Sequence, residues 1–192
     1  LMNFDKNNIY SMRFMPDWNR NSGTGIAGLI QLCFDIYRLN YNASKWVEIG
    51  SYIGESALIF ASFEFVKQLN CVDPLTIKDR PDQEQCFKAR LKYFMKRNNQ
   101  KVFLNKETSE SYCKKIKDKS IDVVYIDGDH GYYPALKDLI LWYPKIKSGG
   151  FLCGHDYMGK HEGVDQAVNE FVESKNLKVQ QTYCDNSFMI RV

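Results

Sequence analysis

The chain has 192 residues, of which 44% are hydrophobic and 26% charged, and its formal net charge is +3. The length suits one domain with a single core, and the composition excludes a disordered, collagen-like or coiled-coil protein. No stretch approaches the roughly 18 apolar residues of a membrane span, and the first residues lack the basic region and apolar run that are typical of a signal peptide. We therefore expect neither a membrane partner nor secretion.

Six cysteines are spread along the chain without a CxxC pair, a CxxH pair or a tight cluster. This spacing argues against a zinc finger and against the disulfide framework of a small secreted protein. We expect reduced cysteines in a cytoplasmic protein. The six are Cys33, Cys71, Cys86, Cys113, Cys153 and Cys184.

Short β-rich apolar runs alternate with longer helical patterns along most of the chain. The first 25 residues show little periodicity and are predicted to form an N-terminal arm, either ordered over the site or frayed, ahead of one domain at residues 26–192. A helical apolar pattern at 28–38 precedes the first predicted strand. The predicted strands are 45–49, 68–72, 101–104, 121–126 and 151–154, and the predicted helices that follow them are 56–66, 83–97, 109–116, 133–146 and 164–174.

This alternation predicts an α/β fold with a Rossmann-like, doubly wound and mostly parallel sheet. The end of the chain departs from the alternation. Residues 177–183 and 187–192 form two strand patterns around a polar turn, which predicts a C-terminal antiparallel hairpin.

Basic residues are concentrated in the middle of the chain. Residues 67–119 hold 14 Lys and Arg against 7 Asp and Glu, whereas the rest of the chain holds 12 against 16. Such a patch attracts phosphates or nucleic acid. The helical spacing of Phe87, Leu91 and Phe94 among these basic residues favours instead the solvated face of an amphipathic helix.

The first predicted strand ends in a turn that contains Gly50 and Gly54, which allow a tight bend and the close approach of a ligand. A dinucleotide fingerprint needs a glycine where Tyr52 stands, so a pyrophosphate is disfavoured here. Glu48 adds a carboxylate that suits a ligand with an ammonium group. Asp73 ends the second strand, 19 residues after Gly54, near the spacing at which an acidic residue accepts hydrogen bonds from a ribose.

The fourth predicted strand delivers Asp127, Asp129 and His130 to its carboxyl end, and the fifth delivers His155 and Asp156. Side chains of these types bind metal ions or transfer protons. If the two strands are neighbours, one carboxylate from each can bind the same divalent cation.

Three stretches together resemble the class I S-adenosylmethionine-dependent methyltransferases, most closely methyltransferase family 24. They are VEIGS-x-x-G-x-S at 47–56, IDGDH-x-Y at 126–132 and GHDY at 154–157. The resemblance spans about residues 26–192. It implies the class I methyltransferase fold, in which the C-terminal hairpin is the reversed strand.

The resemblance also implies S-adenosyl-L-methionine as the cofactor. The cofactor-binding residues it implies are Glu48, Gly50 and Gly54 at the methionine part, Asp73 at the ribose and Ser109 near the adenine, together with Ser51, Tyr52 and Asp127. Metal-dependent relatives hold a divalent ion such as Mg²⁺ at the ends of the fourth and fifth strands. The matching residues are Asp127, His155 and Asp156, of which the histidine departs from the family's pattern.

Methyl transfer from a sulfonium is an in-line displacement, so the enzyme must align the acceptor and remove its proton. The catalytic residues expected are Asp127 and His130. His130 is a candidate general base, Mg²⁺ bound by Asp127 and Asp156 is a second aid, and a purely orienting role for His130 is the alternative. Candidates for the wall of the acceptor pocket are Trp18, Tyr132, Tyr133, Tyr157 and His161.

The favoured function is O-methylation of a small-molecule hydroxyl, on a sugar-like or natural-product acceptor. One alternative is a nucleic-acid-binding or RNA-modifying protein, which the lack of an RNA-binding appendage and of an Asn-Pro-Pro-Tyr signature disfavours. Another is a non-methylating relative, similar to cephalosporin hydroxylase, that binds cofactor and metal. We expect no nucleic-acid partner. The acceptor and the oligomeric state, a homodimer included, stay open.

Overall fold

A computed structural model describes residues 24–78, 80–92 and 100–192. The predicted N-terminal arm lies outside these residues, except for its last two, which begin the first helix. Part of the predicted helix at 83–97 also lies outside them.

Helices and strands alternate through most of the described chain. The helices are α1 (Thr24–Leu39), α2 (Glu55–Ala61), α3 (Gln83–Leu91), α4 (Ser109–Cys113), α5 (Tyr132–Trp142) and α6 (Glu162–Ser174), with a 3₁₀ turn at Tyr143–Lys145. The strands are β1 (Lys45–Ile49), β2 (Gln68–Val72), β3 (Lys101–Asn105), β4 (Ile121–Ile126), β5 (Ile146–Gly154), β6 (Gln181–Thr182) and β7 (Phe188–Arg191).

The strands form one sheet in the order β3-β2-β1-β4-β5-β7-β6. Strands β1 to β5 are parallel, whereas β7 runs antiparallel to both β5 and β6. The predicted fold class, a doubly wound sheet with a C-terminal antiparallel hairpin, is confirmed. The strand order reverses between β1 and β4, which is the point where ligands bind in such sheets.

Both faces of the sheet are covered, so its central strands β1 and β4 are mostly buried, with Glu48 and Asp122 as their buried acidic residues. Trp46 of β1 packs on the face covered by α1, α2 and α3, and Val47 packs on the face covered by α5 and α6. All six residues of β4 are buried. Burial of each large side chain contributes about 1.5 to 3 kcal/mol, so this two-sided packing fixes the sheet against the helices. None of the helices in the described residues has the length and apolar character to cross a bilayer.

Several element boundaries differ from the sequence prediction, among them the end of α4, which is Cys113 rather than 116, and the start of β6, which is Gln181 rather than 177. Helix α2 ends at Ala61 rather than at 66, because the buried Gln100 side-chain amide donates to the carbonyls of Ala61 and Val66, both at 2.8 Å. Helix α5 ends at Trp142 because Pro144 has no amide hydrogen to continue it. Ile146, predicted to be helical, instead begins β5.

Candidate active site

The carboxyl ends of the parallel strands place four of the predicted site residues in one row. Gly50, Asp73, Asp127 and His155 each follow the last residue of a strand. Their backbone amides each donate to the carbonyl at the end of a neighbouring strand, at distances of 2.8 to 3.1 Å. The row is therefore fixed by the backbone ladder of the sheet.

A cleft of about 640 Å³ opens above this row. This volume is in the range of small-molecule binding sites. Five of the eight predicted cofactor residues line it, namely Gly50, Tyr52, Asp73, Ser109 and Asp127. The remaining three, Glu48, Ser51 and Gly54, lie outside its lining.

Asp73 ties together the loops on the floor of the cleft. Its carboxylate is buried and accepts hydrogen bonds from the backbone amides of Tyr52 and Leu75, at 2.8 and 2.7 Å. Each carboxylate oxygen has a second lone pair, so the group can still accept bonds from a ligand hydroxyl.

The Tyr52 side chain forms one rim of the cleft with Arg80. The Arg80 guanidinium donates to the Tyr52 hydroxyl at 2.8 Å and lies 5.4 Å from the centre of its ring. The same guanidinium pairs with Asp82 at 3.2 Å. These contacts hold an aromatic face at the mouth of the cleft.

Glu48 is a fully buried carboxyl group below the turn. One oxygen accepts a short hydrogen bond from the Ser56 hydroxyl. Its other oxygen and the Ser51 hydroxyl are both buried and find no hydrogen-bond partner among the described residues. Burial, reinforced by the Asp127 carboxylate, raises the pKa of Glu48 to about 7. A cationic ligand group near this site would donate the missing hydrogen bond and would lower the free-energy cost of ionising Glu48.

The two glycines of the turn are required by packing within the protein. Both have φ near +83°. A β-carbon on Gly50 would lie 1.9 Å from the Asp127 carbonyl oxygen, and one on Gly54 would lie 2.9 Å from the Phe87 ring. Gly50 thus lets the loops after β1 and β4 meet, whereas the sequence suggested that it makes room for a ligand.

We expect Gly50→Ala to lower the free energy of unfolding by about 3 kcal/mol or more, because it combines an unfavourable φ with a backbone clash. Gly149→Ala is the matched control, since Gly149 has φ +78° and a β-carbon on it would meet no atom within 4 Å. The control should cost only about 1 to 2 kcal/mol. Urea unfolding measures both. Equal losses in the two variants would show that the contact with Asp127 is unimportant.

Ser109, predicted to lie near the adenine, is at the start of α4. Its hydroxyl donates to Asp138 at 2.5 Å and accepts from the indole of Trp142 at 2.8 Å. Burial raises the pKa of Asp138 above its usual range, although the bond from Ser109 opposes this. Asp138 also lines the cleft, so this end of the cleft has a partly buried carboxyl group.

The second half of the site is a cluster of imidazoles and carboxylates around Asp156. His130 Nε2 lies 3.1 Å from Asp156 Oδ2 and 3.6 Å from Asp127 Oδ1. His155 Nδ1 lies 3.2 Å from Asp156 Oδ1 and 3.9 Å from Asp127 Oδ1. His161 Nε2 lies 4.0 Å from Asp156 Oδ2, and its ring centre is 4.3 Å from that of His130.

These contacts set the protonation of the cluster. Burial lowers the pKa of His155, but the hydrogen bond with Asp156 and the charges of both aspartates outweigh it and raise the value to about 9. The hydrogen bond with Asp127 raises the pKa of His130. Burial raises the pKa of Asp156, yet the three histidines reverse this effect and lower it. The contacts within the cluster therefore favour the anionic form of Asp156 and make His130 and His155 more basic than a free imidazole.

The sequence missed two features of this site. His161 was expected in the wall of an acceptor pocket, but it reaches Asp156 from the start of α6. Asp138 carried no local signal, because only the packing of α5 beside α4 brings it to the cleft. Two further candidates for the pocket wall donate hydrogen bonds to side chains of α6. The Tyr132 hydroxyl donates to Glu170, and the Tyr157 hydroxyl donates to Asn169.

Comparison with known proteins identifies the family. A family model described as a methyltransferase domain matches residues 47–157, which include the turn after β1 and all of the cluster around Asp156 except His161. The chain belongs to this methyltransferase domain family. The matched range contains all the residues predicted to bind cofactor or metal.

A curated relative of this methyltransferase domain is the uncharacterized protein R132 of Acanthamoeba polyphaga mimivirus. It is 30% identical over an alignment of 132 residues, which covers 66% of this chain and 58% of that protein. The chain therefore spans less than two thirds of this relative's length.

Solved structures with the same fold include two O-methyltransferases. NovP is 16% identical with a TM-score of 0.63, over 84% of this chain and 77% of that one. The O-methyltransferase from Bacillus cereus, solved in complex with SAH, is 12% identical with a TM-score of 0.63, over 96% and 87%. At these identities the similarity shows the fold alone.

Proposed function

We propose that this methyltransferase uses S-adenosylmethionine to methylate a hydroxyl group of a small-molecule acceptor. The observation that carries the proposal is the position of Asp127, which lines the cleft and also contacts two histidines of the cluster. A methyl donor in the cleft and an acceptor over the cluster would thus meet at one residue. O-methylation is also what the names of NovP and the Bacillus cereus protein state for those two enzymes.

The cleft and the turn below it have the groups that this cofactor needs. Asp73 is positioned to accept hydrogen bonds from the ribose hydroxyls, and the Tyr52 ring covers the rim. Glu48 and Ser51 supply unpaired buried oxygens close to where the methionine ammonium group is expected. Ser109 lies at the end of the cleft assigned to the adenine. Bound there, S-adenosylmethionine supplies the methyl group as a sulfonium.

The cluster is suited to deprotonating an acceptor hydroxyl. His130 is held between Asp127 and Asp156, and its side chain is 40% exposed, so an acceptor can reach it. The two carboxylates orient the imidazole and stabilise it after it takes up a proton. Alignment of the acceptor with the methyl group supplies the rest of the acceleration.

A divalent cation fits the other side of the same cluster. One ligand atom each from Asp127, His155 and Asp156 lies within 4.8 Å of the others. Mg²⁺ is the ion that the family resemblance implies, and a bound cation would lower the pKa of the acceptor hydroxyl. The three side chains would hold the ion while His130 remains available to accept the proton.

Binding of nucleic acid is the second candidate, and the charge distribution argues against it. Several of the lysines in the basic region 67–119 are paired with acidic side chains. These pairs are Lys88 and Lys106 with Glu84, Lys114 with Glu110, and Lys115 with Glu107. The pairing favours a solvated face over a surface that binds phosphates.

Asp73→Ala is expected to weaken binding of S-adenosylhomocysteine about 10- to 150-fold, the equivalent of roughly 1.5 to 3 kcal/mol for hydrogen bonds to a charged group. Calorimetry on the folded variant measures this change. Asp118→Ala is a suitable control, because Asp118 is exposed and pairs with Lys145 away from the cleft. Unchanged affinity in Asp73→Ala would remove Asp73 from the cofactor site.

Product analysis tests the proposed function itself. The protein is incubated with methyl-labelled S-adenosylmethionine and a panel of acceptors with sugar or catechol hydroxyls, with and without Mg²⁺. A parallel arm uses RNA at several salt concentrations. We expect label on a small-molecule oxygen and none on RNA. Label on RNA alone, or an oxidised product without transferred methyl, would support one of the two alternative functions.

A further inference from the structure

The chain has three histidines, and all of them lie around Asp156. His130 follows β4, His155 follows β5, and His161 immediately precedes α6. Three separate elements thus bring every imidazole of the protein to one carboxylate. An arrangement of this kind supplies nitrogen ligands where a magnesium site needs oxygen ligands.

The described residues form two donor groups that could hold a metal ion. One consists of Asp127, His155 and Asp156, and the other of His130, Asp156 and His161. Neither group consists of oxygen ligands alone. Mg²⁺ binds carboxylates, phosphates and water, whereas imidazole favours the ions from Fe²⁺ to Zn²⁺ in the first transition row.

The spacing within the first group suits one ion of this type. His155 Nδ1 lies 3.2 Å from Asp156 Oδ1 and 3.9 Å from Asp127 Oδ1. Ligands bound at about 2.0 to 2.2 Å around a single ion lie roughly 3 to 4 Å apart. His155 is also the least exposed of the three histidines, at 21% against 40% and 41%. It is therefore the imidazole best enclosed to act as a ligand.

We propose that the group formed by Asp127, His155 and Asp156 binds a first-row transition ion such as Co²⁺ or Zn²⁺ in preference to Mg²⁺, and that His155 determines this preference. What the ion does for an acceptor rests on the proposed function, but binding of the ion does not. His161 lies outside this group, against the far oxygen of Asp156. His130 approaches the same oxygen, so both of these histidines lie on the side of Asp156 away from His155.

The test is a titration of the tag-free, chelator-treated protein with Co²⁺, followed by its visible absorption and by competition with Mg²⁺. Because a polyhistidine tag would bind Co²⁺ itself, the tag is removed first. We expect Co²⁺ to bind at least about 100-fold more tightly than Mg²⁺, as imidazole ligation predicts. Affinities within about tenfold of each other would overturn the proposal.

Two variants assign the preference to a residue. His155→Asp replaces the nitrogen ligand with oxygen, so it should weaken Co²⁺ binding and strengthen Mg²⁺ binding. The ratio of the Co²⁺ affinity to the Mg²⁺ affinity should therefore fall by at least tenfold. His161→Ala should change Co²⁺ affinity less than threefold. If His161→Ala loses Co²⁺ binding and His155→Asp leaves the ratio of Co²⁺ to Mg²⁺ affinity unchanged, His155 does not determine the metal preference.

Binding of S-adenosylhomocysteine in the presence of chelator separates this inference from the proposed function. Cofactor binding without any preference for Co²⁺ would refute the metal proposal alone. A preference for Co²⁺ without cofactor binding would refute the proposed function alone.

Discussion

Asp156→Asn is expected to slow methyl transfer by about 10² to 10⁴, the usual contribution of a general base and its partners, while leaving the affinity for S-adenosylhomocysteine unchanged. Asp156 contacts all three histidines and belongs to both donor groups, so its charge supports the base and the metal site together. Its φ of +65° is one that asparagine also adopts, so the backbone should be preserved.

Turnover with methyl-labelled cofactor and calorimetry with S-adenosylhomocysteine measure the two effects of Asp156→Asn separately. Asp118→Asn is the control for the same chemical change at an exposed site, and it should match the wild type in both measurements. If the affinity for S-adenosylhomocysteine falls as far as the turnover, Asp156 belongs to the cofactor side and the division of the site is wrong.

Glu48→Gln is expected to make the protein more stable at pH 8 and to remove a pH dependence of its stability. The folded protein holds the Glu48 proton up to a pKa of about 7, against an ordinary value of 4.5. Between these two values the folded state binds a proton that the unfolded state has lost. Stability therefore falls as the pH rises from about 4.5 to about 7, by on the order of 3 kcal/mol.

Urea unfolding of wild type and Glu48→Gln at several pH values measures this difference. The same variant should bind S-adenosylhomocysteine more weakly at pH 8, because an amide cannot neutralise the ammonium group of the ligand. A gain in stability together with a loss of affinity would show that Glu48 is ionised at this pH to bind the ligand at a cost to the fold. A gain in stability with unchanged affinity would make Glu48 a structural residue without a role in cofactor binding.

The strands were predictable because their signals are local. Buried apolar runs end at a polar or glycine residue, and the bounds of β1, β2 and β4 agree with the prediction. The end of α2 was not predictable from local signals, because it depends on Gln100, which lies 39 residues after Ala61. The start of β5 was missed for the same reason, because Ile146 becomes a strand residue by pairing with Ile121.

The candidate site likewise contains residues that could be placed from the sequence and residues that could not. Residues that end parallel strands share an edge whatever the other details, so Asp73, Asp127 and Asp156 could be placed from the sequence. His161 could not, because the packing of α6 brings it to the cluster. The role of Gly50 was also hidden, since its contact is with the backbone of a loop 77 residues away.

Calorimetric titration of the wild-type protein with S-adenosylhomocysteine tests the central claim most directly, because the two halves of the site can act together in methyl transfer only if the cleft binds this cofactor. We predict saturable binding of one molecule per chain, with chelator present, and weaker binding in Asp73→Ala. A folded wild-type protein that gives no binding heat at any temperature tested, or that binds equally well when Asp73 is replaced, would contradict the account.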